Sequence, residues 1–203
     1  MEKSRSAVLK LVIAIAVVVV IAVIAVLVMI GKSEDTPAVA AEEKAALAGN
    51  IQLLIFERDL AAARARGMVF SDDGRTLLTC TDKNITEAVI PPCVSAIGTG
   101  AFANCGKLYK VDIPASVNVI GDGAFMNCRS LHAVRIPENV NTIGTGAFAD
   151  CRNLRDVTIP AGVENIGAWA FANCWNLETL NIPKTLELAK VGNIPPGCTV
   201  KQK

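Results

Sequence analysis

Apolar and polar positions in the second half of the chain follow a pattern that returns every 23 residues. Residues 134–156 read VRIPENVNTIGTGAFADCRNLRD, 111–133 VDIPASVNVIGDGAFMNCRSLHA and 157–179 VTIPAGVENIGAWAFANCWNLET, and 88–110, AVIPPCVSAIGTGAFANCGKLYK, fits the same frame. A fixed period of this length, held without a slip, predicts a repeat β-solenoid: one unit cannot bury its apolar face alone, and stacked units can. Within a unit the run Leu131, Val134, Ile136 alternates as a half-buried strand does. Pro137 lacks an N–H and should end that strand. Val140 and Ile143 supply a second apolar pair for a short strand on the opposite wall, and Gly144 permits a corner. Phe102, Phe125, Phe148 and Phe171 recur in register and should stack as a column through the core. Asn104, Asn127, Asp150 and Asn173 each precede a repeat cysteine, where an Asx side chain can hydrogen-bond the backbone of a turn.

The unit IPxxVxxIGxxAFxxCxxL resembles that of the BspA-like leucine-rich-repeat family, over roughly residues 69–203. The resemblance implies a leucine-rich-repeat solenoid of short strands and corner turns, a place outside the cytoplasm, and protein binding or surface adhesion in preference to catalysis. The family often opens its array with a hairpin like Asp73-Gly74-Arg75-Thr76-Leu77. The chain then divides into an opening hairpin (68–87), four 23-residue repeats (88–179) and a degenerate, capping C-terminal repeat (180–203).

The first part of the chain has a different pattern. Residues 11–30, LVIAIAVVVVIAVIAVLVMI, are apolar on every face and carry no charge, enough for a transmembrane helix of about 20 residues. Lys3, Arg5 and Lys10 precede the run, so residues 1–10 should stay in the cytoplasm and the repeats lie outside, at a cell surface or in a periplasm. A cleaved signal peptide is the rival reading, with Ala38-Val39-Ala40 as a cleavage-like triplet far downstream. Residues 31–41 read as a linker in which Thr36-Pro37 can start a helix. Residues 42–67 are rich in helix formers and place Leu47, Ile51, Leu54 and Ile55 on one face. Such a helix can cover the open first coil of the solenoid or form a coiled-coil stalk; the stripe keeps no heptad, which favours the cap.

Composition and charge narrow the chemistry. A net charge of +1 leaves no nucleic-acid footprint. Cys105, Cys128, Cys151 and Cys174 stand in register with the repeat and are expected to be buried free thiols, although an oxidising compartment often makes disulfides. Cys80 with Cys93 is the one pair to consider, and seven cysteines cannot all pair within one chain. With no CxxC and His132 the only histidine, neither a metal site nor a catalytic triad is expected, and no cofactor is implied. The chain does not read as an enzyme.

What remains is surface. Around the first strand of each repeat, Lys110, Asp112, His132, Arg135, Arg155, Asp156, Thr158, Glu178, Thr179 and Asn181 vary while the core does not. Mixed charge on such a face suits a protein partner. Trp169 replaces the glycine of the other repeats, and Trp175 replaces Gly106, Arg129 and Arg152. Each is either a binding anchor or a cap on the last coil. The leading expectation is a membrane-anchored extracytoplasmic module for protein interaction or adhesion. The alternative is a structural envelope protein that self-associates and has no foreign ligand.

Overall fold

The structure, a computed structural model, describes residues 37–186 and 194–202. The expected membrane span, 11–30, lies outside the described residues, as does Thr36; among the described residues no helix is long and apolar enough to cross a membrane. The chain divides into two units between Gln52 and Leu53, and the second holds the coils.

Helix α1 spans Pro37–Arg64. The apolar face assigned to it from the sequence is corrected by the structure. Ile51, Leu54 and Ile55 are exposed, whereas Leu60 and Ala63 are buried in the core cluster and Phe56 packs against it. The working stripe is Phe56, Leu60, Ala63, at i, i+4, i+7, so it shares one face as helical geometry requires. Gly67 follows at φ +84°, the left-handed conformation that commonly ends a helix.

Each turn of the solenoid has three walls. The hairpin β1 (Met68–Phe70) and β2 (Thr76–Cys80) opens the first wall with an antiparallel pair. Strands β4 (Ala96–Ile97), β6 (Val119–Ile120), β7 (Thr142–Ile143) and β9 (Asn165–Ile166) then follow β2 in parallel, so the six form one sheet in the order β1-β2-β4-β6-β7-β9. From β4 onward the paired residues are 23 apart, as in Ile97↔Ile120 and Ile120↔Ile143.

The second wall carries the LxxVxI strands. Here β3 (Glu87–Val89) pairs with β5 (Lys110–Asp112), and β8 (Asp156–Thr158) pairs with β10 (Thr179–Ile182), which pairs with β11 (Thr199–Gln202). The degenerate C-terminal segment thus supplies the last strand of this wall.

The third wall is built of turns, and alternate N–H groups on it bond to the next coil: Phe102 N–H to Ala124 O at 2.7 Å, Phe125 N–H to Ala147 O at 2.7 Å and Phe148 N–H to Ala170 O at 2.8 Å. The Asx residues of this wall do something the sequence did not indicate. Asn104, Asn127, Asp150 and Asn173 sit at φ 64°, 62°, 58° and 58°, the left-handed region that Asn and Asp tolerate best. Their side chains reach one another across coils, Asn127 Nδ2 donating to Asn104 Oδ1 at 3.1 Å.

Inside, the four repeat phenylalanines are fully buried and stack with centroids 5.3, 5.2 and 5.5 Å apart. Beside them runs the sulfur column. The thiols of Cys128, Cys151 and Cys174 donate to the carbonyls of Phe102, Phe125 and Phe148 at 3.2, 3.1 and 3.1 Å. Burial pushes Cys128 and Cys174 up to about 12, and Cys151 well above the ordinary thiol range. All seven cysteines are free. Cys80 neighbours Cys105, not Cys93: a thiol–thiol hydrogen bond lowers the Cys80 pKa and raises that of Cys105. Cys93 instead points its thiol at Gly74 O, 3.8 Å away.

Candidate interaction surface

Nearly all of the variable polar residues singled out in the sequence stand on the second wall, in columns fixed by the 23-residue register. Asp112, Arg135, Thr158 and Asn181 form one column, and His132, Arg155 and Glu178 belong to the next. Their charges are partly spent on each other. Lys110 Nζ lies 3.4 Å from Asp112 Oδ2, Arg155 Nη1 lies 3.7 Å from Glu178 Oε1, and Asn181 Nδ2 donates to Thr158 Oγ1 at 3.2 Å. These pairs are exposed, so they add little to stability. Tyr109, at the head of its column, donates its hydroxyl to the Glu87 carboxylate, and that bond raises the phenol pKa.

The wall is interrupted at one level. Residues 133–136 should form a strand between β5 and β8, yet they form only an isolated bridge, Ala133↔Asp156. Elsewhere the Ile90 N–H donates to Asp112 O at 3.1 Å and the Ile159 N–H to Asn181 O at 2.8 Å. The equivalent N–H groups of Ile113 and Ile136 make no such bond. No residue of this segment departs from its equivalents in a way that explains the break.

A groove of about 330 Å³ opens at the interruption, lined by Val134, Arg135, Ile136, Glu138, Asp156, Thr158 and Pro160. It brings together Arg135, Asp156 and Thr158 of the predicted residues and adds Glu138, which sequence reasoning passed over because it follows the strand's terminal proline. Among the described residues, Arg135, Glu138 and Asp156 make no ion pair. One guanidinium and two carboxylates therefore face solvent around a small apolar floor. Lys110, Asp112, His132, Arg155, Glu178 and Asn181 share the wall but do not line the groove. No cluster of three or more His, Cys, Asp or Glu side chains poised for a metal occurs among the described residues.

A family profile described as BspA type Leucine rich repeat region, in 6 copies, matches residues 79–193. The chain belongs to the BspA-type leucine-rich-repeat family. The matched span in this BspA-type chain runs beyond the four full repeats at both ends, into β2 and past β10. Similar solved structures include a leucine rich cell surface protein of Faecalibacterium prausnitzii A2-165, at 29% identity and a TM-score of 0.56 over 66% of this chain and 37% of that one. A leucine-rich repeat protein from Eubacterium ventriosum ATCC 27560 matches at 24% identity and 0.60 over 67% and 38%. The pneumococcal vaccine antigen PcpA matches at 18% and 0.52 over 68% and 41%. The last two show a shared fold. The BspA-type chain spans well under two thirds of the length of each. Comparison with curated proteins gives no match.

Trp169 and Trp175 lie apart from the groove, on the turn wall of the last full coil. They are 61% and 58% exposed. Trp169 holds φ +66°, where the sequence of the other repeats places Gly100, Gly123 and Gly146 at φ 63°, 56° and 60°. A left-handed backbone costs an L-residue with a Cβ roughly 1–2 kcal/mol, and a bulky side chain there is a true outlier. The glycine-to-tryptophan exchange was visible in the sequence; the retained left-handed backbone was not.

Proposed function

We propose that this chain is a membrane-anchored, extracytoplasmic repeat protein whose strand wall binds a protein partner. The observation that carries the reading is the groove at the interrupted level, where Arg135, Glu138 and Asp156 surround Val134 and Ile136 with no ion pair among themselves or with their described neighbours. Charged groups left open on a rigid wall set partner choice and association rate, and the apolar floor supplies the area that water must leave. The described structure of a similar chain as a cell surface protein and the uncharged run at 11–30 support the placement outside the cytoplasm. Adhesion follows if the partner is fixed to another surface.

The test is charge reversal. The full chain in mild detergent is immobilised, and partners from extracellular matrix and from the source cell's envelope are measured against Arg135→Glu and Asp156→Lys variants. The expected result is a partner whose affinity falls at least about tenfold, ~1.4 kcal/mol, with one of these reversals, while Arg129→Glu on the turn wall leaves it unchanged. Equal binding by all variants, or self-association as the sole interaction in sizing, would reject the reading.

A further inference from the structure

The second wall has a free edge at the level of the first coil. We propose that this edge, the outer side of β3, takes an extended acidic peptide as an added strand. The site is separate from the groove at Arg135, which lies two coils further on.

Three observations lead there. The first is the backbone. Thr86 O accepts from the Tyr109 N–H at 2.9 Å and the Ile90 N–H donates to Asp112 O at 3.1 Å, with Ala88 paired to Val111 between them. Alternate residues of a strand serve a parallel neighbour, so Thr86, Ala88 and Ile90 spend their backbone groups on β5. The N–H and C=O of Glu87 and Val89 point the other way, and among the described residues none of the four has a backbone partner. Strand β10, inside the same wall, is paired on both sides, with β8 and with β11. A row of unspent donors and acceptors is a template for another strand.

The second is the space beside the edge. A groove of about 350 Å³ runs between the last turns of α1 and the end of β3, lined on the helix by Asp59, Ala62, Ala63 and Arg66 and on the coil by Val89, Pro91 and Pro92. Two of the four helix residues are alanines, which leaves room for the side chains of a strand laid along Val89. Both sides of the groove lie among described residues of the second unit. Val89 is 54% exposed, in a column whose later members are Asp112, Arg135, Thr158 and Asn181. A valine there gives an added strand an apolar neighbour to pair with. Pro91 carries no N–H, so the open edge is confined to Glu87–Val89.

The third is charge. Asp59 is held by Arg58 at 2.8 Å. The Glu87 carboxylate leans toward the next coil, where it accepts from the Tyr109 hydroxyl. Arg66 is exposed and makes no ion pair among the described residues. The charge the groove offers is therefore a guanidinium, the group that holds a carboxylate through two parallel hydrogen bonds.

The experiment titrates the full chain, in mild detergent, into fluorescein-labelled blocked hexapeptides that alternate valine with glutamate or valine with lysine, read by fluorescence polarisation. The expected result is saturable binding of the glutamate peptide, tighter than that of the lysine peptide. N-methylation of one alternate set of its amides should abolish binding and N-methylation of the other set should spare it, since only one side of an added strand faces β3. Val89→Pro removes an outward N–H and no bond to β5, a change that edge strands accept. It should weaken the glutamate peptide at least about fivefold, the loss of one hydrogen bond, with the melting temperature kept. Arg66→Glu should reverse the preference in favour of the lysine peptide. The methylated peptides and Arg66→Glu decide the matter should Val89→Pro fail to fold. No binding of the glutamate peptide, or binding indifferent to both methylations, would overturn the added strand. Binding that survives Val89→Pro and Arg66→Glu but is lost in Arg135→Glu would overturn it in favour of the strand-wall groove. A parent chain that dimerises in sizing, with Val89→Pro monomeric and no peptide bound, would overturn it in favour of a second copy. The strand-wall reading stands or falls separately, on Arg135 and Asp156.

Discussion

Replacing Phe148 tests whether the rings of the core act as a column or as four separate side chains. Phe148 is fully buried and touches two rings, Phe125 at 5.2 Å with planes 4° apart and Phe171 at 5.5 Å with planes 1° apart. Phe148→Ala should cost about 3–5 kcal/mol, the usual range for a buried phenylalanine, and should lie toward its upper end because two ring contacts are lost. Each aromatic pair adds about 0.5–1.5 kcal/mol beyond buried area. Phe148→Leu, which keeps most of the volume, should therefore cost about 1–3 kcal/mol. Phe102→Leu should cost one pair contribution less, since Phe102 stacks on Phe125 alone. The decisive measurement is a pair of double-mutant cycles in urea, followed by circular dichroism on the full chain in mild detergent. Phe125→Leu with Phe148→Leu should show a coupling of about 0.5–1.5 kcal/mol. Phe102→Leu with Phe148→Leu, separated by an intact Phe125, should show almost none. Equal couplings in the two cycles, or none in the first, would refute the stacked column.

Two further outcomes follow from the packing. A Cβ on Gly167 would run into the backbone of Thr145 and Gly144, the latter at 2.5 Å, whereas one on Gly49 meets nothing within 4 Å. Gly167→Ala should accordingly cost about 3 kcal/mol or more as overpacking against fixed backbone, while Gly49→Ala should stabilise α1 by about 0.5–1 kcal/mol; urea midpoints at constant slope decide both. Stability should also fall in alkali. Cys128 and Cys174 ionise near pH 12 in the folded chain because burial disfavours the thiolate, but near 8.5 once unfolded. Above pH 8.5 the folded state thus holds more protons, and stability declines from there to about pH 12. At pH 10 each thiol should account for about 1.5–2 kcal/mol, and Cys128→Ala should lose its share of the pH dependence between pH 7 and pH 10 in urea melts.

Much of this molecule is legible in its sequence because the period is strict. The phenylalanine column, the two strand walls and the buried thiols all follow from residues that return at one spacing. What the spacing hides is where identical residues behave differently. Val134-Arg135-Ile136 has the alternation of its neighbours, yet it is the level at which the second wall opens. Pattern reports what a segment can form and says nothing of whether the coils above and below approach closely enough to pair with it. The helix was misread for another reason. Ile51, Leu54 and Ile55 make a denser apolar stripe than Phe56, Leu60 and Ala63, but Leu60 and Ala63 are the residues buried against the first coil. Cys80 and Cys93 look paired by proximity in the chain, whereas Cys80 meets Cys105.

The coil-to-coil bonds of the turn wall have a consequence for how such a chain can change length. Phe102, Phe125 and Phe148 each donate to the carbonyl 22 residues further on, and β4, β6, β7 and β9 pair residues 23 apart. On the first wall and the turn wall, interior coils therefore meet their neighbours through the same donors and acceptors. An in-frame duplication or deletion of 23 residues inside the array leaves every ring above a ring and every thiol beneath a carbonyl. A gain or loss of one residue more turns each strand's buried side outward. Unequal crossing-over at the level of the gene is thus graded by the fold into steps of one whole turn. The surfaces carried by particular coils, the groove at Arg135 and the tryptophans at 169 and 175, can be moved apart, copied or lost as single units.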